Sequence, residues 1–395
     1  MADKNNTTVW DYLQWRGDLT FAQDGFNEVD NLLLCIISYI DFRRVDALRI
    51  FDPAQAVPIG EVCAQLTEED EQIGLSDESY IPLMRAMAVT PRFRDVKMFA
   101  FENSVDEERV MQFGAVSFLL PDKSVFVAYQ GTDTTLVGWK EDFNMSFLTA
   151  VPAQLRATEY ARTVARACPR AVLRLGGHSK GGNLAVWAAI HLPERLQRRR
   201  LQATYNNDGP GFSPEVIASE QYARVAEKIH TFIPESSIVG MLLEHTENYE
   251  IIDSTNHSVM QHEPLSWNVM GRGFCRVEDR SETAKLSDGV VRQWLSELDI
   301  DQRQEFIEAL YSILSQGGKA KTLDDLWGIS NGMAVLKSYI GADERKRKVI
   351  HEILTRLASE TGEEIRRTVE GYWRTAGDNL EQARQDWRKF LSRTE

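Results

Sequence analysis

The sequence has little cysteine, no long apolar run and no N-terminal export signal, and each of these features excludes a class of protein. Its four cysteines are scattered without a C-x-x-C pair, so we expect reduced, mostly buried thiols instead of a disulfide framework. The longest apolar run, residues 32–40, contains a serine and a tyrosine and is too short to cross a bilayer. The first 15 residues have neither the basic segment nor the apolar core of a secretory signal. These features predict a cytoplasmic protein without a transmembrane segment.

Positive charge is also in short supply. The 59 acidic residues outnumber the 45 Lys and Arg residues, and the net charge of −14 argues against a general binder of nucleic acid or of anionic membranes. The chain has no H-E-x-x-H motif and no His/Cys cluster with metal-ligand spacing, so we expect neither a metal ion nor a cofactor. Apolar residues make up 43% of the 395 residues, which is enough for a substantial core.

One stretch, residues 171–192, combines a strand pattern, a glycine turn and a helix pattern in that order. Its centre, G-H-S-K-G at residues 177–181, fits the G-x-S-x-G nucleophile elbow, in which a strand turns sharply into a helix with a serine at the apex. This pattern predicts Ser179 as a nucleophile and the backbone N–H of Lys180 as a donor to a developing oxyanion. The alternative is a glycine-rich turn with a buried or capping serine.

Two kinds of pattern divide the chain. Up to residue 284, apolar strand patterns alternate with helical patterns, as in the strands at 125–129 and 249–252 and the helix at 153–167. This alternation predicts an α/β fold with a mainly parallel central sheet whose faces are covered by helices. Residues 285–395 instead show helical periodicity and are rich in Glu, Arg, Gln and Ala. We therefore predict one domain over residues 1–284, followed by a C-terminal α-helical region that could bind a partner protein or self-associate.

A serine hydroxyl is a poor nucleophile until a base takes its proton, and the usual base is a histidine. In elbow sites the histidine comes last along the chain, after the acid. Two histidines lie in the loop that follows the strand at 249–252, namely His257 and His262. His262 is the first choice because a nearby proline and tryptophan would fix its loop, and His257 is the alternative. The other histidines after the serine are interpreted as structural: His191, His230, His245 and His351.

The acid that orients the histidine has three candidates. Asp208 lies in N-N-D-G-P-G, directly after the strand that follows the elbow, and is the first choice. Glu235 ends the next strand and is the alternative acid, and Asp253 comes third. A competing interpretation of Asp208 is that it caps a turn, since D-G-P-G is strong turn chemistry.

An oxyanion hole needs a second donor beside the N–H after the serine. Thr132 follows a glycine at the tip of the strand at 125–129 and can offer both its N–H and its hydroxyl. We therefore predict Thr132 as the second oxyanion donor, the alternative being an ordinary Gly-Thr-Asp turn.

Two motifs resemble the class 3, fungal-type lipases. The first is V-A-Y-Q-G-T-D at residues 127–133, followed by Trp139 and Asp142, and the second is G-H-S-K-G-G-N-L-A at residues 177–185. Further segments resemble a bacterial family of lipase-like proteins known as Mbeg1-like: D-Y-L-Q-W at 11–15, N-E-V-D at 27–30, and residues 206–212 and 261–267. The resemblance covers roughly residues 7–275.

The resemblance implies an α/β-hydrolase fold with Ser179 as nucleophile. It also implies that the N–H groups of Thr132 and Lys180 are the oxyanion donors. Trp139 and Asp142 would support the loop over the site.

The chain departs from the fungal-type lipases in two places. They have Leu after the serine, where this chain has Lys180, which predicts a cation near the mouth of the site and a substrate that is not purely apolar. Their acid lies in a segment that aligns with residues 236–239, which contain no Asp. This gap makes Asp208 the first choice for the acid, and it leaves a degraded triad as an alternative.

Together these patterns predict a serine hydrolase that cleaves a carboxylic ester, either a lipid or another acyl ester, through an acyl-enzyme on Ser179. Two alternatives remain. One is a non-catalytic interaction protein with a lipase fold, and the other is an acyltransferase that uses the same serine.

Overall fold

The computed structural model describes most of the chain up to residue 279 and one helix beyond it. The described residues are 7–67, 70, 80–133, 135–145, 148–237, 239–241, 243, 245, 249–279 and 300–314.

An eight-stranded sheet forms the centre of the fold, with the strands side by side in chain order. They are β1 (Val57–Pro58), β2 (Lys97–Asp106), β3 (Met111–Leu119), β4 (Val125–Tyr129), β5 (Leu173–His178), β6 (Leu201–Asn207), β7 (Ile229–Pro234) and β8 (Tyr249–Ile252). The pairings from β1 to β4 are antiparallel. The four pairings from β4 to β8 are parallel, which confirms the prediction of a mainly parallel sheet. A separate hairpin joins β9 (Val269–Met270) to β10 (Gly273–Phe274).

Helices cover both faces of this sheet. They are α1 (Val9–Arg16), α2 (Glu28–Ile37), α3 (Ile59–Cys63), α4 (Ile81–Val89), α5 (Leu136–Asn144), α6 (Pro152–Ala167), α7 (Lys180–His191), α8 (Glu194–Arg199), α9 (Pro214–Ile217), α10 (Glu220–Ala223) and α11 (Ile300–Leu314). Helices α1, α2 and α4 contribute to the core on one face, and α6 and α7 to the core on the other. Strand β4 is buried along its whole length because its side chains alternate between these two cores.

A buried ion pair joins α2 to the segment that follows α4. The Arg92 and Asp30 side chains are both fully buried, with Arg92 Nε 2.6 Å from Asp30 Oδ1. Arg92 Nη2 donates to Asp30 Oδ2, and the other three N–H groups donate to the carbonyls of Leu19, Asp24 and Gly25 at 3.0–3.1 Å. Every donor of the guanidinium group that points into the protein therefore meets an acceptor, as a buried charge requires.

We expect Arg92→Leu to lower the free energy of unfolding by about 3–5 kcal/mol, because it leaves the Asp30 carboxylate buried without a cation. Urea denaturation followed by circular dichroism measures the change. The double variant Arg92→Leu/Asp30→Asn should regain part of the loss, since it removes the uncompensated charge. A matched control is Arg198→Leu, which breaks the exposed helical pair with Glu194 and should cost less than about 1 kcal/mol. A loss for Arg92→Leu as small as that of the control would contradict a stabilising role of the buried pair.

Of the C-terminal region, the structure describes one helix. Helix α11 packs against α5, with Lys140 Nζ 3.6 Å from Glu308 Oε1 and 4.7 Å from the centre of the Tyr311 ring. Ile307 and Ala309 are buried. The rest of the predicted helical region at 285–395, and the predicted boundary itself, lie outside the described residues, so the division into 1–284 and 285–395 remains a prediction.

Two further observations bear on the predictions from composition. All four cysteines are free, and three of them are buried: Cys35, Cys63 and Cys168. Within the described ranges, no helix is both long and apolar enough to cross a membrane.

Candidate active site

Three loops that carry predicted site residues leave the same edge of the sheet. Because β4, β5 and β6 are parallel neighbours, their carboxyl ends lie side by side, with Gly177 paired to both Tyr129 and Asn206. The loops that follow these strands contain Thr132, Ser179 and Asp208 respectively. In parallel α/β sheets, ligands bind at this edge.

Ser179 lies at the sharp turn between β5 and α7. Its φ of 57° and ψ of −133° are strained for a residue with a side chain, as expected of a nucleophile elbow. A Cβ atom on Gly177 would lie 2.1 Å from the backbone of Gly181, and one on Gly181 would lie 2.2 Å from the carbonyl oxygen of Tyr129. Both glycines are therefore required for the turn. Together with the mainly parallel sheet, this strand–serine–helix turn gives the α/β-hydrolase fold that the sequence predicted.

His262 and Asp208, the first-choice base and acid, are in hydrogen-bond contact. His262 Nδ1 lies 2.6 Å from Asp208 Oδ2, and because a carboxylate only accepts, Nδ1 carries the proton. In the neutral ring Nε2 then has a free lone pair, which is the state that a general base needs. The buried Asp208 carboxylate also accepts from Ser237 Oγ (2.7 Å) and from the N–H of Gly240 (3.1 Å). These three donors hold the carboxylate in one orientation.

Two asparagines shape the turn that carries Asp208. The Asn206 side chain accepts from the N–H of Gly209 (2.9 Å) and donates to its carbonyl oxygen (3.2 Å). Asn207 Nδ2 donates to the carbonyl oxygen of Gly177 (2.9 Å), which ties the turn to the elbow. Asp208 itself has a φ of 54°. The sequence reasoning gave these asparagines no role, although their position directly before Asp208 was a signal for one.

The alternative site residues lie apart from this contact. His257 is exposed, at the start of the turn that leads to His262. The backbone N–H of Glu235 bonds the carbonyl oxygen of Ile252, and Asp253 Oδ2 accepts from Asn268 Nδ2 (2.8 Å). Among the described residues, Asp208 is the carboxylate that contacts a ring nitrogen of His262.

The candidate base is also close to the elbow. The His262 ring lies 4.6 Å, centre to centre, from the ring of His178, the residue before Ser179. Ser179 is half-buried, and its Oγ makes no hydrogen bond to His262 in the part of the chain that the structure describes. Such bonds are often long without substrate and tighten in the reacting complex.

Thr132 lies in the loop between β4 and α5. Its Oγ1 donates a hydrogen bond to Asp142 Oδ2 on α5, so its backbone N–H is the candidate donor to an oxyanion. Burial raises the pKa of Asp142 to about 6, and the nearby Lys180 ammonium opposes that rise. Trp139, which the resemblance also assigned to this loop, is half-buried on the same helix. Among the described residues no group of three or more His, Cys, Asp or Glu side chains could hold a metal ion.

The profile of the Mbeg1-like family matches residues 87–312, more than half of the chain. The chain belongs to the Mbeg1-like family.

The Mbeg1-like chain is similar in part to several solved structures, and no curated protein matches it. The Rhizomucor miehei lipase propeptide complex is 16% identical with a TM-score of 0.33, over 44% of this chain and 70% of that chain. Lipase II from Rhizopus niveus is 16% identical with a TM-score of 0.29, over 41% and 66%. The Lip2 lipase from Yarrowia lipolytica is 13% identical with a TM-score of 0.30, over 49% and 76%.

The side chain of Lys180 in this Mbeg1-like protein does not lie at the mouth of the site, so that prediction was wrong. It is 1% exposed, and its Nζ lies 3.0 Å from the carbonyl oxygen of Gln112 and 3.3 Å from Glu141 Oε2. It also bonds the Gln112 side chain and lies 3.8 Å from Asp142 Oδ1. The two carboxylates of α5 draw the ammonium group beneath the elbow because a buried cation needs a counter-ion.

Sequence reasoning missed Glu141 and Gln112 as supports of the elbow. Glu141 Oε2 accepts from the N–H of Gln112 (3.0 Å), and Oε1 accepts from the N–H of Ala153 (2.8 Å). Glu141 therefore joins β3, the start of α6 and Lys180. The available signal was the acidic pair at 141–142, close after the predicted oxyanion loop.

Proposed function

We propose that this Mbeg1-like protein is a serine hydrolase that cleaves a carboxylic ester, a lipid or another acyl ester, through an acyl-enzyme on Ser179. The observation that carries the proposal is the 2.6 Å contact between His262 Nδ1 and Asp208 Oδ2, at the sheet edge where the elbow lies. A serine at a strained strand–helix turn, a histidine with a free Nε2 and a buried carboxylate are the parts that acyl transfer requires.

In the proposed reaction Ser179 Oγ attacks the ester carbonyl while His262 Nε2 takes the hydroxyl proton. Asp208 keeps the ring in the required tautomer and stabilises the imidazolium that forms. The N–H groups of Lys180 and Thr132 donate to the negatively charged carbonyl oxygen. His262 then gives its proton to the departing alcohol, and a water molecule activated by the same histidine releases the acid.

The support beneath the oxyanion donors favours this function over a passive turn. Lys180 contributes a backbone donor to the proposed hole, and its side chain is anchored by Gln112 and Glu141. Thr132 is anchored through its hydroxyl on Asp142. Donors held in this way need little reorganisation when charge develops on the substrate, which is the main source of transition-state stabilisation in such sites.

The buried position of Lys180 also changes the expectation for the substrate. Since its ammonium group is 1% exposed and paired with Glu141, it offers no reason to exclude an apolar acyl chain. A lipid and a small acyl ester therefore remain equally compatible with the proposal.

The contact between Asp208 and His262 also weighs against the non-catalytic alternative. That alternative rested on the lack of Asp in residues 236–239. Asp208 comes from the turn after β6 and contacts the histidine that the acid should orient.

Labelling of the full chain with a fluorophosphonate tests the proposal. We expect one covalent adduct, on the tryptic peptide at residues 175–180, which contains Ser179 as its serine. Labelling should occur between about pH 6 and pH 9 and be blocked by prior incubation with a short acyl ester. Heat-denatured protein is the control and should not react. A folded protein that stays unlabelled, or that labels at another residue, would overturn the proposal.

A further inference from the structure

His178 is the residue before Ser179, and it takes no part in the proposed reaction. Its Nε2 lies 2.8 Å from the carbonyl oxygen of His262, and its ring packs on the His262 ring at 4.6 Å. On its other side, the Tyr39 hydroxyl lies 3.1 Å from Nδ1 and 3.2 Å from the His178 carbonyl oxygen. His178 is 5% exposed, so water does not compete for these contacts.

The contacts determine the tautomer of His178. A carbonyl oxygen only accepts, so Nε2 carries the proton and donates to His262. Burial lowers the pKa of His178 well below its usual value, so the ring is neutral and Nδ1 keeps a lone pair. Burial also raises the pKa of Tyr39, whose hydroxyl stays a donor and is directed at Nδ1 and the adjacent carbonyl oxygen. The ring therefore has one orientation in which Nε2 donates a hydrogen bond and Nδ1 accepts one.

Tyr39 extends this connection to the oxyanion loop. A Cβ atom on Gly131, the residue before Thr132, would lie 2.0 Å from the Tyr39 hydroxyl and 2.8 Å from the His178 carbonyl oxygen. The backbone at 131 thus rests directly on both groups. Gln130 Nε2 also donates to the carbonyl oxygen of Tyr39 at 3.3 Å.

We propose that His178 and Tyr39 form a positioning pair that sets the spacing between Ser179, the His262 loop and the oxyanion loop. This inference rests on the proposed hydrolase function. His178 acts through its hydrogen bond to the His262 backbone, as a positioning residue and not as a catalytic one. That bond joins the loop that carries His262 to the elbow. A displacement of about 1 Å in such a site lowers the rate about 100-fold.

The test compares the second-order rate constant for fluorophosphonate labelling among full-length variants. His178→Leu removes the Nε2 donor, and we expect labelling to slow about 30- to 100-fold. His178→Gln keeps an amide donor that can reach the same carbonyl oxygen, and it should recover to within about fivefold of wild type. Tyr39→Phe removes one hydroxyl and should slow labelling about 3- to 10-fold. The control His230→Leu replaces a histidine on β7 that stacks on Tyr205, and it should label like wild type.

Thermal melts accompany each rate, so that a loss of fold is recognised. Slow labelling of His178→Leu with a melting temperature within about 5 °C of wild type, together with recovery in His178→Gln, supports the positioning role. Wild-type rates in His178→Leu would overturn it and leave the hydrolase proposal intact. If His178→Leu unfolds, the other two variants decide. Wild-type rates in both His178→Gln and Tyr39→Phe would overturn the positioning role. Slow labelling in His178→Gln with a wild-type rate in Tyr39→Phe would overturn it as well. A wild-type protein that does not label at Ser179 would instead remove the proposed function on which the inference rests.

Discussion

Ser179→Ala is expected to abolish fluorophosphonate labelling and to lower kcat for ester hydrolysis by about 10⁶-fold. Alanine has no hydroxyl to attack the carbonyl carbon, so no acyl-enzyme forms. The residual rate should exceed the rate in water by about 10³- to 10⁴-fold, because an oxyanion hole and substrate binding supply that acceleration by themselves. Initial rates on a p-nitrophenyl ester, with labelling read by intact-protein mass spectrometry, measure both effects.

The fold of Ser179→Ala should be unchanged, because the left-handed backbone at this position is as strained for serine as for alanine. Ser104→Ala is the matched control, since it removes a hydroxyl from β2, outside the proposed site. We expect the control to label and turn over like wild type. If Ser179→Ala kept more than about a tenth of the wild-type kcat, the serine would be part of a structural turn and not a nucleophile.

Asp208→Asn is expected to lower kcat by about 10⁴-fold with little change in fold. An asparagine amide can donate to His262 Nδ1, which favours the tautomer with the proton on Nε2, the nitrogen that must accept the serine proton. The substitution also removes the negative charge that stabilises the imidazolium. Formation of the acyl-enzyme should therefore slow, and burst kinetics on an activated ester measure that step.

Glu235→Gln is the comparison that decides between the two candidate acids. We expect it to change kcat by less than about threefold, because Asp208 is the described carboxylate that contacts the His262 ring. The double variant should behave like Asp208→Asn. A loss of about 10⁴-fold in Glu235→Gln with near-normal activity in Asp208→Asn would assign the acid to Glu235 and overturn the assignment to Asp208.

The elbow could be predicted from the sequence because its determinants are local. The positive φ of Ser179 and the close approaches at Gly177 and Gly181 arise within one strand, one turn and the first turn of a helix. Small residues at these spacings are the pattern by which such a turn is recognised. The mainly parallel sheet followed in the same way from the alternation of strand and helix patterns.

The contact between His262 and Asp208 depends on the order of the strands in the sheet as well as on local sequence. The two residues are 54 positions apart, and each could be named because it follows a strand of the sheet. The order of strands along the chain equals their order in the sheet, so loops that follow successive strands end side by side. A different strand order would have separated them with little change in the local patterns, and for this reason the sequence left Glu235 and His257 open as alternatives.

The environment of Lys180 could not be read from the sequence. Its partner Gln112 lies 68 positions earlier and Glu141 lies 39 positions earlier. Whether a lysine at this position reaches solvent or a buried carboxylate depends on where α5 packs. The sequence resemblance suggested a surface cation because it gave the residue type without its surroundings.

Local sequence alone determined the elbow at Ser179 and the alternation that gives an α/β sheet, because turn chemistry and periodicity act over a few residues. Tertiary structure decided which acid meets which histidine, where the lysine charge is neutralised and how Tyr39 reaches His178 across 139 positions. These depend on burial and on distances between segments that only the packed fold brings together, since hydrogen bonds act over about 3 Å whatever the separation along the chain.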